Sequence, residues 1–239
     1  MEHVLILLLT ILASFIGTIT GFGSATIMIP VLIIFFPIPM TLLFSGFVHA
    51  LVDVWEMGLF REGINWKLVL FFGVPGMIFS FIGSMITVDI DPILMSRIIG
   101  FVLLGYVFIV FFKSKITLKP HEGTAVLGGT LSGFFAGAFG LGGAIRSTFL
   151  NLFNLPKSTY LFTAGAVALL IDVTRVVGYY ASGIRFGVYS GWLLILVIPA
   201  SLFGSVLAQS FVNHISQRQF RIVIACFLAL IAIKFIVFP

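Results

Sequence analysis

The sequence predicts an all-α, polytopic helical membrane protein, and three observations carry that prediction. Of the 239 residues, 60% are hydrophobic and only 9% are charged, with a mean hydropathy of +1.24. So few polar residues cannot cover a water-facing globule. Apolar runs of about 20 residues, the length that crosses a hydrocarbon core of about 30 Å, follow one another along the chain with short polar joints. Two of these runs are overlong and are interrupted by glycine clusters at matching places. A bacterial-type β-barrel would instead alternate apolar and polar residues in segments of about ten residues.

Eight hydrophobic segments are read at 4–36, 40–60, 67–88, 93–112, 123–154, 158–181, 187–212 and 218–238. Segment one contains Gly17-Thr18-Ile19-Thr20-Gly21-Phe22-Gly23. Segment five contains Gly137-Ala138-Phe139-Gly140-Leu141-Gly142-Gly143 about 120 residues later, and such internal repetition is the usual build of secondary transporters. The chain therefore divides into a first transmembrane repeat at 1–112, a basic linker at 113–122 placed in the cytoplasm, and a second repeat at 123–239. With a similar offset Gly17 meets Gly137, Gly23 meets Gly143, Asp53 meets Asp172, Pro39 meets Pro156 and Gly63 meets Gly183.

Within segment one, residues 4–16 and 24–36 each span 13 residues, about 20 Å of helix and too short to cross alone. Segments one and five are expected as half-helix hairpins that enter the membrane and return, or as pairs of short crossings. Three full spans plus a returning hairpin invert the second repeat. Inversion puts Arg61, Lys67, Lys113, Lys115, Lys119, Lys157, Arg218 and Arg221 in the cytoplasm and Arg97, Arg185 and Lys234 outside, a split of eight to three. A parallel repeat gives seven to four, a weaker match to the positive-inside rule. The N-terminus is then outside.

The formal charge of +5 forms no single patch, so nucleic acid is not expected as a partner. The lipid bilayer is. Met1-Glu2-His3 lacks the basic region of a secretory signal, and segment one is expected to be retained. The single cysteine, Cys226, lies in an apolar segment and reads as lipid-facing or packed. His3, His121 and His214 are terminal or loop residues without metal-ligand spacing, so neither a metal nor a cofactor is expected. Trp66, Trp192, Tyr179 and Tyr180 lie near segment ends, where interfacial anchoring is the default.

Ionisable residues inside apolar segments narrow the function. Each costs about 2.5–3.5 kcal/mol near the bilayer centre before it finds a partner. His49, Asp53 and Glu56 share one helix face at i, i+4 and i+7. Asp172 and Arg175, at i and i+3, are close enough to touch. The repeat alignment sets Glu56 opposite Arg175, so Glu56 is expected to neutralise Arg175, with Asp53 and Asp172 in a coupling or ion-pair cluster. Burial raises a carboxyl pKa, which makes Asp53, Glu56 or Asp172 candidates for carrying coupling protons.

Arg146 stands apart, three residues after Gly143 in the first turn beyond the second break. Helix N-termini present free N–H groups and partial positive charge, and a guanidinium adds a planar fork for a carboxylate, sulfonate or phosphate. Arg146 is therefore the leading anion ligand, with pairing to Asp172 as the alternative and Arg175 as a second ligand. Backbone at Gly21, Gly23, Gly142 and Gly143 and the hydroxyls of Ser24, Thr26, Ser147 and Thr148 would complete the shell. Close helix packing without a site is the other reading of such small residues.

Together these features resemble the TauE/SafE family of sulfite and organosulfonate exporters, also called toluene-sulfonate uptake permeases. The matching stretches are Gly21-Phe22-Gly23 through Pro30, and Gly140-Leu-Gly-Gly-Ala-Ile-Arg146, Asn154-Leu-Pro-Lys157 and Asp172-Val-Thr-Arg175. Ser24 and Ala144 stand where a third glycine is common, and Leu150 where proline is frequent. The resemblance implies a multi-pass inner-membrane transporter of small sulfur-containing anions such as sulfite or sulfoacetate, working as an exporter by alternating access. Its assembly state is open between monomer and homodimer. Other readings are a passive anion channel, a scaffold, or an intramembrane hydrolase using Asp53 and Asp172 as a shared-proton dyad.

Overall fold

The computed structural model describes residues 2–21, 23–60, 63–112, 119–187, 191–211 and 217–238, and every regular element among them is helical. Phe22, Arg61, Lys113, Lys115 and most of the linker lie outside the described residues, as do the side chains of Lys157, Arg218 and Arg221.

Segment one forms α1 (Glu2–Thr20) and α2 (Ala25–Leu32). Segment two is α3 (Ile38–Leu59) and segment three α4 (Trp66–Asp89), whose early turn at Val69–Gly73 widens to π geometry. Segment four is α5 (Pro92–Phe112). Segment five gives α6 (Glu122–Phe139) and α7 (Gly143–Asn151), and the last three are α8 (Lys157–Ala181), α9 (Gly191–Phe211) and α10 (Gln217–Val237). α1, α3, α4, α8 and α9 contain stretches long and apolar enough to cross a membrane, and α5 and α10 contain shorter apolar stretches.

Local chemistry sets the helix ends. Pro37 and Pro156 precede α3 and α8 with nearly identical dihedrals, φ −55 and ψ 138 against φ −52 and ψ 145, a fixed φ suited to helix entry. Pro37, rather than Pro39, is thus the counterpart of Pro156. Asn65 and Asp91 accept backbone N–H bonds at the starts of α4 and α5, satisfying donors that a helix start leaves free. α1 and α6 both end at a left-handed glycine, Gly21 at φ +71 and Gly140 at φ +73. Gly140 N–H donates to Ala136 C=O at 2.9 Å and Leu141 N–H to Phe135 C=O at 3.2 Å, the paired bonds that close a helix on glycine.

The breaks therefore fall later than the glycine spacing alone suggests. Gly17 and Gly137 lie inside α1 and α6. α1, at 19 residues, is about 28 Å long, so the outgoing arm is a full-length helix instead of a half-helix. Only the return arms, α2 with 8 residues and α7 with 9, are short. A Cβ on Gly17 would lie 2.5 Å from Ser24 N, so this glycine lets the return arm fold against α1.

Helix packing follows a two-fold pattern. α4 packs along α6 while α9 packs along α1, and α4 also meets α8 while α9 meets α3. Exchanging α1 with α6, α3 with α8 and α4 with α9 converts one set of contacts into the other. The α5–α10 and α3–α8 pairs map onto themselves. Small residues make these approaches close: Gly129, Gly133 and Gly137 on α6 lie directly against the carbonyls of Phe72, Gly76 and Ser80 on α4. Membrane helices associate through such small-residue seams, where backbones approach and van der Waals contact accumulates.

Candidate functional site

The α3–α8 crossing lies at the centre of this arrangement, and it carries nearly all the buried charge among the described residues. Gly46 on α3 leaves room for Val176 and Arg175, and Gly165 on α8 leaves room for Met57, the Asp53 carbonyl and Glu56 Cβ. The two helices meet closely because of this pair. His49, Asp53, Glu56, Asp172, Arg175 and Arg146 are all buried.

Asp172 is the most heavily engaged of them. Arg175 Nε donates to Asp172 Oδ1 at 2.5 Å, the i, i+3 contact that the spacing predicts. The other oxygen, Oδ2, meets Nδ1 of His49 on the facing helix. His49 Nε2 points to Asp53 Oδ1 at 3.8 Å. One imidazole thus stands between the carboxylates of α3 and α8. Glu56 forms no ion pair among the described residues and does not neutralise Arg175. Asp172 takes that part, because three residues along one helix is a shorter reach than the gap between helices. Thr18 of α1 faces the Glu56 carboxylate.

Tyr179 also belongs to this cluster. It is fully buried and donates to Gly137 C=O at 2.5 Å, joining α8 to the last turn of α6. The interfacial-anchor expectation for Tyr179 is therefore corrected. Its register was the available signal: Asp172, Arg175 and Tyr179 stand at i, i+3 and i+7, one helix face. Thr87 Oγ1, at the end of α4, reaches Gly137 C=O and Ala138 C=O at 3.2 and 3.1 Å. The carbonyls left free by the end of α6 are thereby satisfied.

Both breaks converge here. Gly23, at φ +85, presses against the ring of His49, so that a side chain on Gly23 would occupy the same space as Nε2. Gly140 abuts Arg175 Nη1 and Ile29 of α2. Ser132 on α6 donates to Gly142 C=O at 3.0 Å, fixing the second break. Gly143 begins α7, whose Ser147 and Thr148 hydroxyls bond back to Ala144 C=O. Ser147 is thus committed to its own helix. The hydroxyl of Ser24 at the first break is buried without a partner among the described residues, while Thr26, on α2, lines a cavity described below.

Arg146, 5% exposed, acts electrostatically on His49, Asp53 and Glu56. Among the described residues no carboxylate stands within the 4.0 Å of an ion pair with it, and its Nε has no hydrogen-bond partner. The alternative pairing of Arg146 with Asp172 is not formed. Nε2 of His49, Oδ2 of Asp53 and Nη1 of Arg175 are likewise buried and unsatisfied. Native structures leave few such atoms, and each calls for an explanation such as a ligand or water.

Two further groupings bear on the chemistry. His49, Asp53 and Asp172 bring three donor atoms within 4.8 Å of one another, a cluster that histidine spacing along the chain could not reveal, since it is built across two helices. The same proximity brings together the carboxylates considered as a hydrolytic dyad, but Asp172 is held by Arg175 and His49. An apolar cavity of about 500 Å³ lies between α5 and the second break, lined by Thr26, Phe101, Leu141, Ala144 and Ile145 among others. Ala144 and Arg146, two residues apart on α7, project to nearly opposite sides, so this cavity is separate from the charged centre.

Long apolar helices, paired glycine breaks and a buried charged centre define an integral, multi-pass membrane protein built around an internal polar site. The family model described as Sulfite exporter TauE/SafE matches residues 6–235, and the chain belongs to that family of membrane transporters. It is 24% identical to a probable membrane transporter protein of Methanocaldococcus jannaschii, over 97% of this chain and 96% of that one. No solved structure matches it.

The Gly23 contact gives an expected result at the site. Gly23→Ala is destabilised by about 1–3 kcal/mol from its left-handed backbone alone, with the methyl displacing His49 in addition. Gly58→Ala, on α3 with no atom near the added methyl, gains about 0.5–1 kcal/mol. Thermal unfolding in detergent measures both.

Proposed function

We propose that the protein is a secondary transporter of small sulfur-containing anions, sulfite and sulfonates such as sulfoacetate, with export as its direction. It resides in the cytoplasmic membrane and works by alternating access, with the anion held between the two breaks. Arg146 is its principal ligand, Arg175 lies behind it, and backbone at Gly21, Gly23, Gly142 and Gly143 lines the path with Ser24. One observation carries this reading: Arg146 is a buried guanidinium with no carboxylate at ion-pair distance among the described residues. Such a charge is costly in a membrane interior, and an oxyanion both compensates it and fills its planar donor fork. The two-fold packing supports two repeats, 1–112 and 123–239; inverted and joined by a cytoplasmic linker, they have the build in which anion sites form at helix breaks near the midplane.

Arg146→Ala in proteoliposomes is expected to lose sulfite and sulfoacetate transport while its thermal stability changes little, because it removes a buried charge that has no ion pair among the described residues. Arg146→Lys keeps the charge but not the fork and falls between. Wild-type flux in the alanine variant overturns the assignment. Thermal shifts of the wild type across sulfite, sulfoacetate, thiosulfate and simple carboxylates identify the preferred anion. Saturable, gradient-coupled turnover separates a transporter from a passive channel.

A further inference from the structure

The charged centre contains more than an anion ligand requires. His49, Asp53, Asp172 and Arg175 are each at most 3% exposed, and they sit beside Arg146 at the α3–α8 crossing. We infer that His49 and Asp53 together form a proton-binding site, that the Asp172–Arg175 pair is its fixed anchor, and that its occupancy is coupled to the anion at Arg146. This rests on the transport reading above and names the coupling ion and the groups that carry it.

The two carboxylates differ in what they can accept. Asp172 spends Oδ1 on Arg175 Nε at 2.5 Å, and its Oδ2 lies against His49 Nδ1. A guanidinium neutralises it, so it remains an acceptor and orients the ring. Asp53 has no guanidinium within ion-pair distance among the described residues, and its Oδ2 has no partner. A carboxylate buried in a membrane without a cation takes up a proton more readily than one that is paired.

The ring of His49 completes the device. Nδ1 lies against Asp172 Oδ2 and 3.5 Å from Arg175 Nη2; a hydrogen on Nδ1 serves the nearer contact, since a carboxylate only accepts hydrogen bonds. Nε2 is then the basic nitrogen, unsatisfied and 3.8 Å from Asp53 Oδ1. A proton arriving on Nε2 gives an imidazolium between two carboxylates. Passing it to Asp53 leaves a neutral imidazole and a neutral carboxylic acid. Gly23, in the first break, covers this edge of the ring.

Every charged or titratable group facing the pair bears on the coupling. From α3 there is Glu56, from α7 Arg146, and from α8 Asp172 and Arg175 with Tyr179 behind them. With His49 neutral, three carboxylates stand against two guanidiniums. An added proton makes the centre more positive beside Arg146 and favours the anion, and the anion in turn favours the proton. That reciprocity is thermodynamic linkage; it couples proton and anion moving in the same direction, so export runs on the anion's own gradient and the membrane potential. The three-donor grouping also has the donor types of a cation site, but two guanidiniums share its surroundings and one already occupies an oxygen of Asp172. This favours a proton over a metal ion.

The test uses the full chain in proteoliposomes, with sulfite as the probe and two assays. In wild type, a pH gradient is expected to drive sulfite accumulation, and sulfite counterflow proceeds without a gradient. Asp53→Asn and His49→Gln should each lose gradient-driven accumulation by at least about tenfold, within the range of typical coupling energies, while counterflow survives. Arg146→Ala should lose both. Wild-type flux that ignores pH but follows a sodium gradient would overturn the proton assignment, as would full gradient-driven accumulation in both Asp53→Asn and His49→Gln. Absence of counterflow in wild type for every sulfur oxyanion overturns the anion reading and this inference with it.

Discussion

Asp172→Asn is expected to lose about 3–5 kcal/mol of stability, the cost of stranding a buried charge when its partner is removed. Arg175 is 1% exposed and paired with Asp172 through Nε at 2.5 Å, and no other carboxylate among the described residues stands within ion-pair reach. The same substitution weakens the hold on His49 Nδ1. Replacing both partners, Asp172→Asn with Arg175→Met, is expected to recover most of the loss, since exchanging a buried pair for apolar packing is often close to neutral. Thermal unfolding of the single and double variants in one detergent reads the difference. A single variant as stable as the parent would show that Arg175 finds another partner.

The second large effect lies along the α4–α6 seam. Gly133→Leu places a branched side chain where the carbonyl of Gly76 already sits. Ordinary overpacking costs about 1–3 kcal/mol when side chains can yield. Here the obstacle is backbone, so the helices must separate, and Gly129 and Gly137 lose their contacts as well. The variant is expected to aggregate or to unfold at a much lower temperature, seen as loss of the monodisperse peak in size-exclusion chromatography. Gly105→Leu is the control, because nothing lies near a Cβ at that position. Equal behaviour of the two variants would remove the seam from the account.

Much of the architecture was legible because membrane burial writes itself into composition. All eight apolar segments match helices within a few residues at each end, since a bilayer span needs a minimum apolar length. The two overlong segments are broken, as glycine clusters inside apolar runs indicated. The place of each break was not legible. It is set by which glycine adopts a left-handed φ, Gly21 and Gly140, and several glycines competed for that part in the sequence.

The ionisable residues show the same division. Asp172 and Arg175 touch because helix geometry alone brings i and i+3 together. Which group faces His49 depends on how α3 crosses α8, and that crossing is set by the bulk missing at Gly46 and Gly165. Repeat alignment placed Glu56 and Arg175 in equivalent positions, but equivalence under a two-fold axis is not contact. Tyr179 was misread for a related reason: proximity to a segment end outweighed its register with Arg175.

One contact described only by its helices gives the protein a built-in optical probe. At the α3–α9 seam, the indole N–H of Trp55 donates to Ser201 Oγ at 3.0 Å, one residue before Glu56. The chain has three tryptophans, and the other two, Trp66 and Trp192, are well exposed. Changing those two to phenylalanine leaves a single emitter whose hydrogen bond joins α3 to the helix lying along α1. Any sliding of α9 relative to α3 must strain or break that bond. The wavelength of Trp55 fluorescence then follows the motion in unlabelled protein, in real time.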